Sequence, residues 1–316
     1  MNKQPIKLLP AFKDYLWGGT KLKTSYNKKT DLDIVAESWE LSTHKDGQST
    51  VNGGEFDGLT LTEYIEQNGK ECLGGNALKF SYFPILIKFI DALGNLSIQV
   101  HPDDEYAMRV EGEYGKTEMW YILECDEGAY LYYGVNREVT REEFKERIKN
   151  NTLLEILNKV PIHKGDVFFI PAGTIHAICS GTVICEIQQN SNTTYRVYDY
   201  DRRDKNGNPR ELHIDKAIEV SRLTPSPEIK KADKTAKDAV LASCDKFTVR
   251  RLLVDAPMTV TIGEDCFHSL IVTEGSGTLE MNGAEYSLEK GDSIFIPAQN
   301  SNYTLKGNCC VILSYV

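Results

Sequence analysis

Two histidines, one glutamate and one glutamine in this chain have the types and spacing of a metal-binding set. Gln99 and His101 are separated by one residue in an apolar run, so in an extended strand both side chains leave the same face. Glu118 opens the next apolar run and supplies a carboxylate, and His176 closes the segment that starts at Gly165 and passes through Pro171. Two imidazoles with a carboxylate suit zinc with an open coordination position, and equally iron(II) in a facial triad. A lone histidine in a β-protein is usually a hydrogen-bonded structural residue. By that reasoning His44, His163, His213 and His268 are read as packing or surface residues, because none has comparable company.

The elements that must position these four residues occur twice. Gly165 to His176 recurs as Gly291 to Asn302: each copy has a Gly-Asp turn, a short uncharged apolar strand and a Pro-Ala turn. Upstream, Ile122 to Gly134 aligns with Ile271 to Gly283, matching Gly128 to Gly277. In this alignment Phe267 falls opposite Glu118 and Asn302 opposite His176, so the second copy reads as one that has lost its metal site. The first copy is longer between its halves. The extra span, near 136–160, contains Thr140 to Glu143 and Thr152 to Glu155, both of capping-box form, and reads as a helical insertion.

Short apolar runs bounded by turn residues dominate elsewhere: 84–91, 96–100, 118–123, 129–133, 167–170, 182–188 and 247–254. Brief helices are expected over 61–67, after Pro102, and over 216–222 with Asp215 as cap. Many short antiparallel strands, repeated, predict a mainly β fold of two jelly-roll barrels, the double-sheet answer to exposed edges. The expected organisation is a metal-binding catalytic unit over 1–223, a polar, proline-punctuated linker over 224–240, and a degenerate second unit over 241–316.

Composition narrows the class. The 316 residues are 41% apolar and 26% charged, with no apolar run of membrane-spanning length, and the net charge of −10 opposes nonspecific nucleic-acid binding. Neither a membrane nor a nucleic-acid partner is expected. The N-terminal residues lack the apolar core of a secretory signal, and the eight cysteines form no regular framework, so a cytoplasmic location is expected. An anionic ligand must then find a local basic pocket.

Gly165 to His176 resembles the second cupin motif. The block Ser97 to Asp104, with its Gln-x-His-Pro-Asp-Asp core, resembles the signature of type I mannose-6-phosphate isomerases in their short bacterial form. Lys116-Thr117-Glu118, the run Gln188 to Arg202, Tyr15 to Gly19 and Ala36 to Glu40 extend the likeness over essentially the whole chain. Cupin spacing alone hosts many functions; the Gln-x-His-Pro-Asp-Asp block with downstream Lys-x-Glu and Tyr-Arg is far more specific. The resemblance implies two cupin barrels, with one zinc per chain held by Gln99, His101, Glu118 and His176. It also implies interconversion of mannose 6-phosphate and fructose 6-phosphate through an enediol. It assigns Glu186 as the carboxylate near C1 and C2, Lys116 and Arg196 as cations beside the reacting oxygens, and Ser97, Lys88 and Arg202 to the substrate. Asn192 departs from the pattern, which has Asp there, but it keeps an acceptor oxygen. The rival readings are an iron(II) cupin oxygenase, which would leave the Gln99 position open, and a sugar-phosphate sensor that binds without turnover.

Overall fold

A computed structural model describes residues 3–203, 207–226, 229 and 233–316. The first unit is a sandwich of two antiparallel sheets. One has the strand order Leu157–Pro161, Tyr130–Val135, His176–Ile178, Ile98–Val100, Tyr195–Tyr198. The other runs Val167–Ile170, Glu118–Cys125, Thr182–Gln189, Ile85–Ala92, Glu37–Leu41, Ala11–Lys13. Side chains from both sheets, among them Trp120, Ile122, Leu131, Phe168, Ile170, Ile178 and Ile184, fill the space between them. Every residue of Ile85–Ala92 and Thr182–Gln189 is buried, because the outer face of the second sheet packs on the C-terminal unit through Ile87, Phe89, Met119, Tyr121, Phe267, Ile271 and Phe295. Lys88, Asp91, Glu186 and Gln188 are therefore polar groups carried into the interior by strands buried on both sides.

The C-terminal unit has a nine-stranded sheet around its own apolar core of Leu252, Leu270, Val272, Ile294, Ile296, Leu305 and Leu313. Two of its strands come from the other end of the chain. Ile6–Leu9 pairs with Ser293–Ile296, and Thr50–Asn52 pairs with Ile6–Leu9. The expected first unit of 1–223 needs this correction. Antiparallel pairing satisfies an edge strand's backbone, and the edge that Ile6–Leu9 pairs with is Ser293–Ile296 of the nine-stranded sheet. Part of the expected linker, at 227–228 and 230–232, lies outside the described residues, and the strand Asp238–Ser243 already begins inside the 224–240 span.

Strand limits match the sequence reading closely, with Val167–Ile170 coinciding and Thr182–Gln189 longer by one residue. Thr60 caps Leu61–Asn68 with a reciprocal box to Glu63. The inserted helix, Arg141–Lys149, keeps only half of its expected box. Thr140 accepts from the Glu143 backbone N–H, while the Glu143 carboxylate pairs with Arg137 and Arg147. The second expected helix of the insertion is a single 3₁₀ turn, Leu153–Ile156, and Asp215 sits inside Ile214–Val220 without capping it.

The two units are pinned together by a buried ion pair. Lys28 Nζ lies 2.7 Å from Glu40 Oε2 and donates to the Gly291 carbonyl of the C-terminal unit. Burial pushes the Glu40 carboxyl up, and Lys28 opposes that shift. Breaking one side of such a pair strands the other charge, so Lys28→Met is expected to cost about 3–5 kcal/mol in urea denaturation. Adding Glu40→Leu should recover most of that loss. A single variant as stable as the parent would show that the pair contributes nothing.

Candidate active site

The pairing of strands assembles the site at one end of the first sandwich. His176 lies in register with Gln99 on the neighbouring strand, and Arg196 is the cross-strand partner of Gln99 on its other side. On the facing sheet, Glu186 sits between Lys88 and Trp120 in register. Glu118 begins its strand, and His101 follows directly after Ile98–Val100.

His101, Glu118 and His176 are all buried and present ligand atoms within 4.8 Å of one another. His176 Nε2 is 3.3 Å from Glu118 Oε1, and His101 Nε2 is 3.6 Å from Glu118 Oε2. Gln99 Nε2 lies 3.5 Å from His176 Nε2, and Gln99 Oε1 accepts from Ser97 Oγ at 3.3 Å. The four residues expected from sequence are thus brought together.

Three observations fit this set to a cation. Each imidazole has its Nδ1 on a backbone carbonyl, Thr193 at 2.9 Å for His101 and Thr174 at 2.8 Å for His176, so each Nε2 points into the cluster as an acceptor. Burial, reinforced by Lys116, holds His101 well below its ordinary value, and burial likewise holds His176 at about 4; both rings are neutral at physiological pH. The Glu118 carboxylate is fully buried, and its Oε1 has no hydrogen-bond donor. The Lys116 ammonium is its charged neighbour, with Nζ 2.7 Å from Oε2 and 3.2 Å from His101 Nε2. Two neutral imidazole nitrogens and a carboxylate converging at these distances form a donor set that suits a divalent metal.

Beside the cluster opens a cavity of about 320 Å³ that Gln99, Lys116 and Glu186 line at the metal-binding side. The Glu186 carboxylate accepts from Trp120 Nε1 through Oε2 at 2.8 Å. Its other oxygen faces Lys116 Nζ at 3.6 Å and Lys88 Nζ at 3.9 Å, without a hydrogen bond. Lys88 also pairs with Glu37 at 3.3 Å and lies over the Trp39 ring. Burial works against the Lys116 ammonium, but Glu118 and Glu186 outweigh it and push the group up to about 12. Arg196 shares the cavity wall; burial and the neighbouring Arg210 lower its guanidinium from the ordinary value.

Ser97, Lys88, Lys116, Glu186 and Arg196 all line this cavity, as does Asn192. Arg202 lines an adjoining cavity of about 220 Å³ instead, with its guanidinium on Asp199 and the Asn95 carbonyl. The sequence reading missed Glu37, Tyr15, Trp17 and Arg210 as lining groups. A signal existed for Glu37, which with Glu40 is one of two acidic residues in the five-residue strand Glu37–Leu41, every position of which is buried. No local pattern marks Arg210, which reaches the cavity from a loop. Asn192 donates to Asp46 Oδ2 at 2.9 Å, a bond that an aspartate at that position could not make.

In the second barrel the register differs from the sequence alignment. Leu123 is an extra, bulged residue in its strand against Thr182–Gln189, and Thr273 is the equivalent bulge in His268–Met281. Matching the bulges sets His268, rather than Phe267, at the place of Glu118. Asn302 is exposed, and the buried Tyr303 faces the barrel interior, its hydroxyl 3.0 Å from His268 Nδ1. A histidine–tyrosine pair packed among apolar side chains offers no metal set.

Comparison with known proteins agrees with this geometry. Residues 6–129 match the family described as phosphomannose isomerase type I, catalytic domain, and residues 237–316 match mannose-6-phosphate isomerase, cupin domain. A probable mannose-6-phosphate isomerase of Bacillus subtilis is 38% identical over 98% of this chain and 99% of its own length. A mannose-6-phosphate isomerase of Streptococcus mutans is 35% identical over 99% and 98%. The crystal structure of the Bacillus subtilis mannose 6-phosphate isomerase superposes with a TM-score of 0.92 at 36% identity, covering 99% of this chain and all of that one.

Proposed function

The chain belongs to the type I mannose-6-phosphate isomerases, a family of aldose-ketose isomerases, and we propose that it interconverts D-mannose 6-phosphate and D-fructose 6-phosphate through an enediol, with zinc as its metal. The observation that carries the metal assignment is the convergence of the buried Glu118 carboxylate, whose Oε1 has no hydrogen-bond donor, with the Nε2 atoms of His101 and His176. Gln99, His101, Glu118 and His176 would hold the ion. A bound zinc supplies a Lewis acid for the negative charge that develops on O1 or O2, with no redox chemistry of its own.

The chain's own groups do the rest. Glu186 is the proton carrier between C1 and C2: Trp120 fixes one carboxylate oxygen and leaves the other directed at the cavity. Lys116 and Arg196 place positive charge where the open-chain sugar's oxygens become electron-rich. Ser97 offers a hydroxyl and Lys88 an ammonium on the same wall, with Arg202 in the adjoining cavity. Among the described residues no helix is long and apolar enough to cross a membrane, and all eight cysteines are free thiols, which supports a reducing cytoplasm as the working compartment.

The test is turnover of mannose 6-phosphate, coupled to detection of fructose 6-phosphate, before and after chelation. We expect chelation to abolish activity and zinc to restore it. Undiminished turnover by metal-free protein would refute the metal assignment, and no turnover by the fully loaded protein would refute the activity.

A further inference from the structure

The carbonyl that fixes the His101 imidazole belongs to Thr193, in a stretch without regular structure: 191–194 joins Thr182–Gln189 to Tyr195–Tyr198 with no strand or helix of its own. Asn192 and Thr194 of the same stretch line the cavity beside the metal-type cluster. A carbonyl orients a ring only as well as it is itself held. What holds this strap therefore bears on the metal centre.

Two of its bonds are local. Gln188 Nε2 donates to the Ser191 carbonyl at 2.6 Å, and Ser191 Oγ accepts from the Thr193 N–H at 3.2 Å. The others reach it from elsewhere in the chain. Glu113, in the bend that follows the helix Asp104–Val110, accepts from the Asn192 N–H, and from Thr193 Oγ1 at 3.4 Å. Asn192 Nδ2 donates to Asp46 Oδ2 at 2.9 Å. The turn 44–46 is tied to the same glutamate: Lys45 Nζ lies 2.8 Å from Glu113 Oε1, and the Asp46 N–H donates to His44 Nδ1 at 3.1 Å, which directs His44 Nε2 at Glu113 Oε2, 3.7 Å away. Burial works against the Glu113 carboxylate, but Lys45, His44 and the Asn192 N–H outweigh it and hold the group below its ordinary value.

The ion pair with Lys45 is by itself a surface feature, since Lys45 is 74% exposed and such pairs contribute little. The strap bonds differ from it. They are made by the residue whose carbonyl takes the His101 Nδ1–H and by the residue before it. We propose that Glu113 is a positioning residue of the metal centre: it clamps the strap at Asn192 and Thr193, and through the Thr193 carbonyl it sets the direction of His101 Nε2, with Asp46 as a second clasp on Asn192. An amide at position 192 suits this clasp, because its donor meets a carboxylate. The inference rests on the metal reading of the site, and it concerns affinity for the ion rather than the chemistry done with it.

Glu113→Ala is expected to weaken zinc binding about 10-fold in competition with a chromophoric chelator, the low end of what losing a group that orients a metal ligand costs. Lys45→Ala, which removes the exposed pair and leaves the strap bonds, should change zinc affinity less than about twofold. Glu113→Gln should fall between the two, because its amide oxygen can still accept one of the strap's hydrogens. Solvent exchange of the imidazole N–H groups in the zinc-loaded protein, followed by NMR, gives a second readout with its own control. The His101 Nδ1–H should exchange faster in Glu113→Ala, while the His176 Nδ1–H, held by the Thr174 carbonyl, keeps the parent rate. A role confined to general stability would speed both alike. Zinc affinity for Glu113→Ala within about twofold of the parent, or equal acceleration at both histidines, would overturn the proposal. Should the alanine variant not fold, Glu113→Gln decides by the same two measurements. A parent protein that binds no zinc would instead strike down the metal reading itself, and this inference with it.

Discussion

Replacing His176 with alanine is expected to strip the protein of bound zinc and lower kcat/KM for mannose 6-phosphate by about 10³-fold or more. The loss follows from what the imidazole does. His176 Nε2 is one of the ligand atoms around Glu118, and its ring is fixed by the Thr174 carbonyl and by the edge of Trp120, with centroids 5.2 Å apart. Changes to groups that merely orient a ligand cost about 10–100-fold in affinity or activity, so removing the ligand itself should cost more. Lewis-acid stabilisation supplies several kcal/mol, and each ~1.4 kcal/mol is tenfold in rate. The fold should survive, because the neighbouring Ala177 and Ile178 keep their packing and the strand's pairing is made by the backbone. Metal analysis alongside circular dichroism checks this. A folded variant that retains about one zinc and full turnover would remove His176 from the ligand set.

Much of this site was legible because its parts are local. The alternation of Gln99 and His101, the Gly-Asp turn before Val167–Ile170 and the Pro-Ala turn leading to His176 are patterns within a dozen residues, and each holds in the structure. The cap at Thr140 is local in the same sense, although only its hydroxyl half forms. What escaped depends on long-range pairing. Nothing in Ile6–Leu9 announces that its partner is Ser293–Ile296 at the far end of the chain. The register of the second barrel slipped by one because matched glycines in a hairpin do not report where the adjacent strand carries its bulge, and a slip of one exchanges the two faces. For that reason Phe267 was set opposite Glu118, where His268 belongs; Asn302, set opposite His176 by the separate Gly-Asp repeat, is exposed beside the buried Tyr303. Arg210 and Tyr15 reach the cavity from loops, where spacing carries no periodic signal.

The proton-transfer role can be separated from metal binding, since Glu186 is not among the ligand atoms around Glu118. Glu186→Gln keeps the side chain's shape and can still accept from Trp120 Nε1, yet an amide cannot take up and return a proton at C1 and C2. We expect kcat to fall about 10²- to 10⁴-fold, the usual contribution of a positioned general base, with zinc content unchanged. KM should move little. Lys88 and Lys116 each keep a second carboxylate, Glu37 and Glu118, so the substitution leaves neither ammonium alone in the interior. Isotope exchange gives an independent readout: in heavy water the parent protein should place deuterium on the reacting carbon, and the variant's residual turnover should lose that exchange. A variant that isomerises within about threefold of the parent rate is incompatible with Glu186 as the base, since a positioned base contributes far more than that. Full retention of the substrate's hydrogen under conditions that allow exchange would replace the enediol with a direct hydride shift, for which a carboxylate between C1 and C2 has no proton to carry.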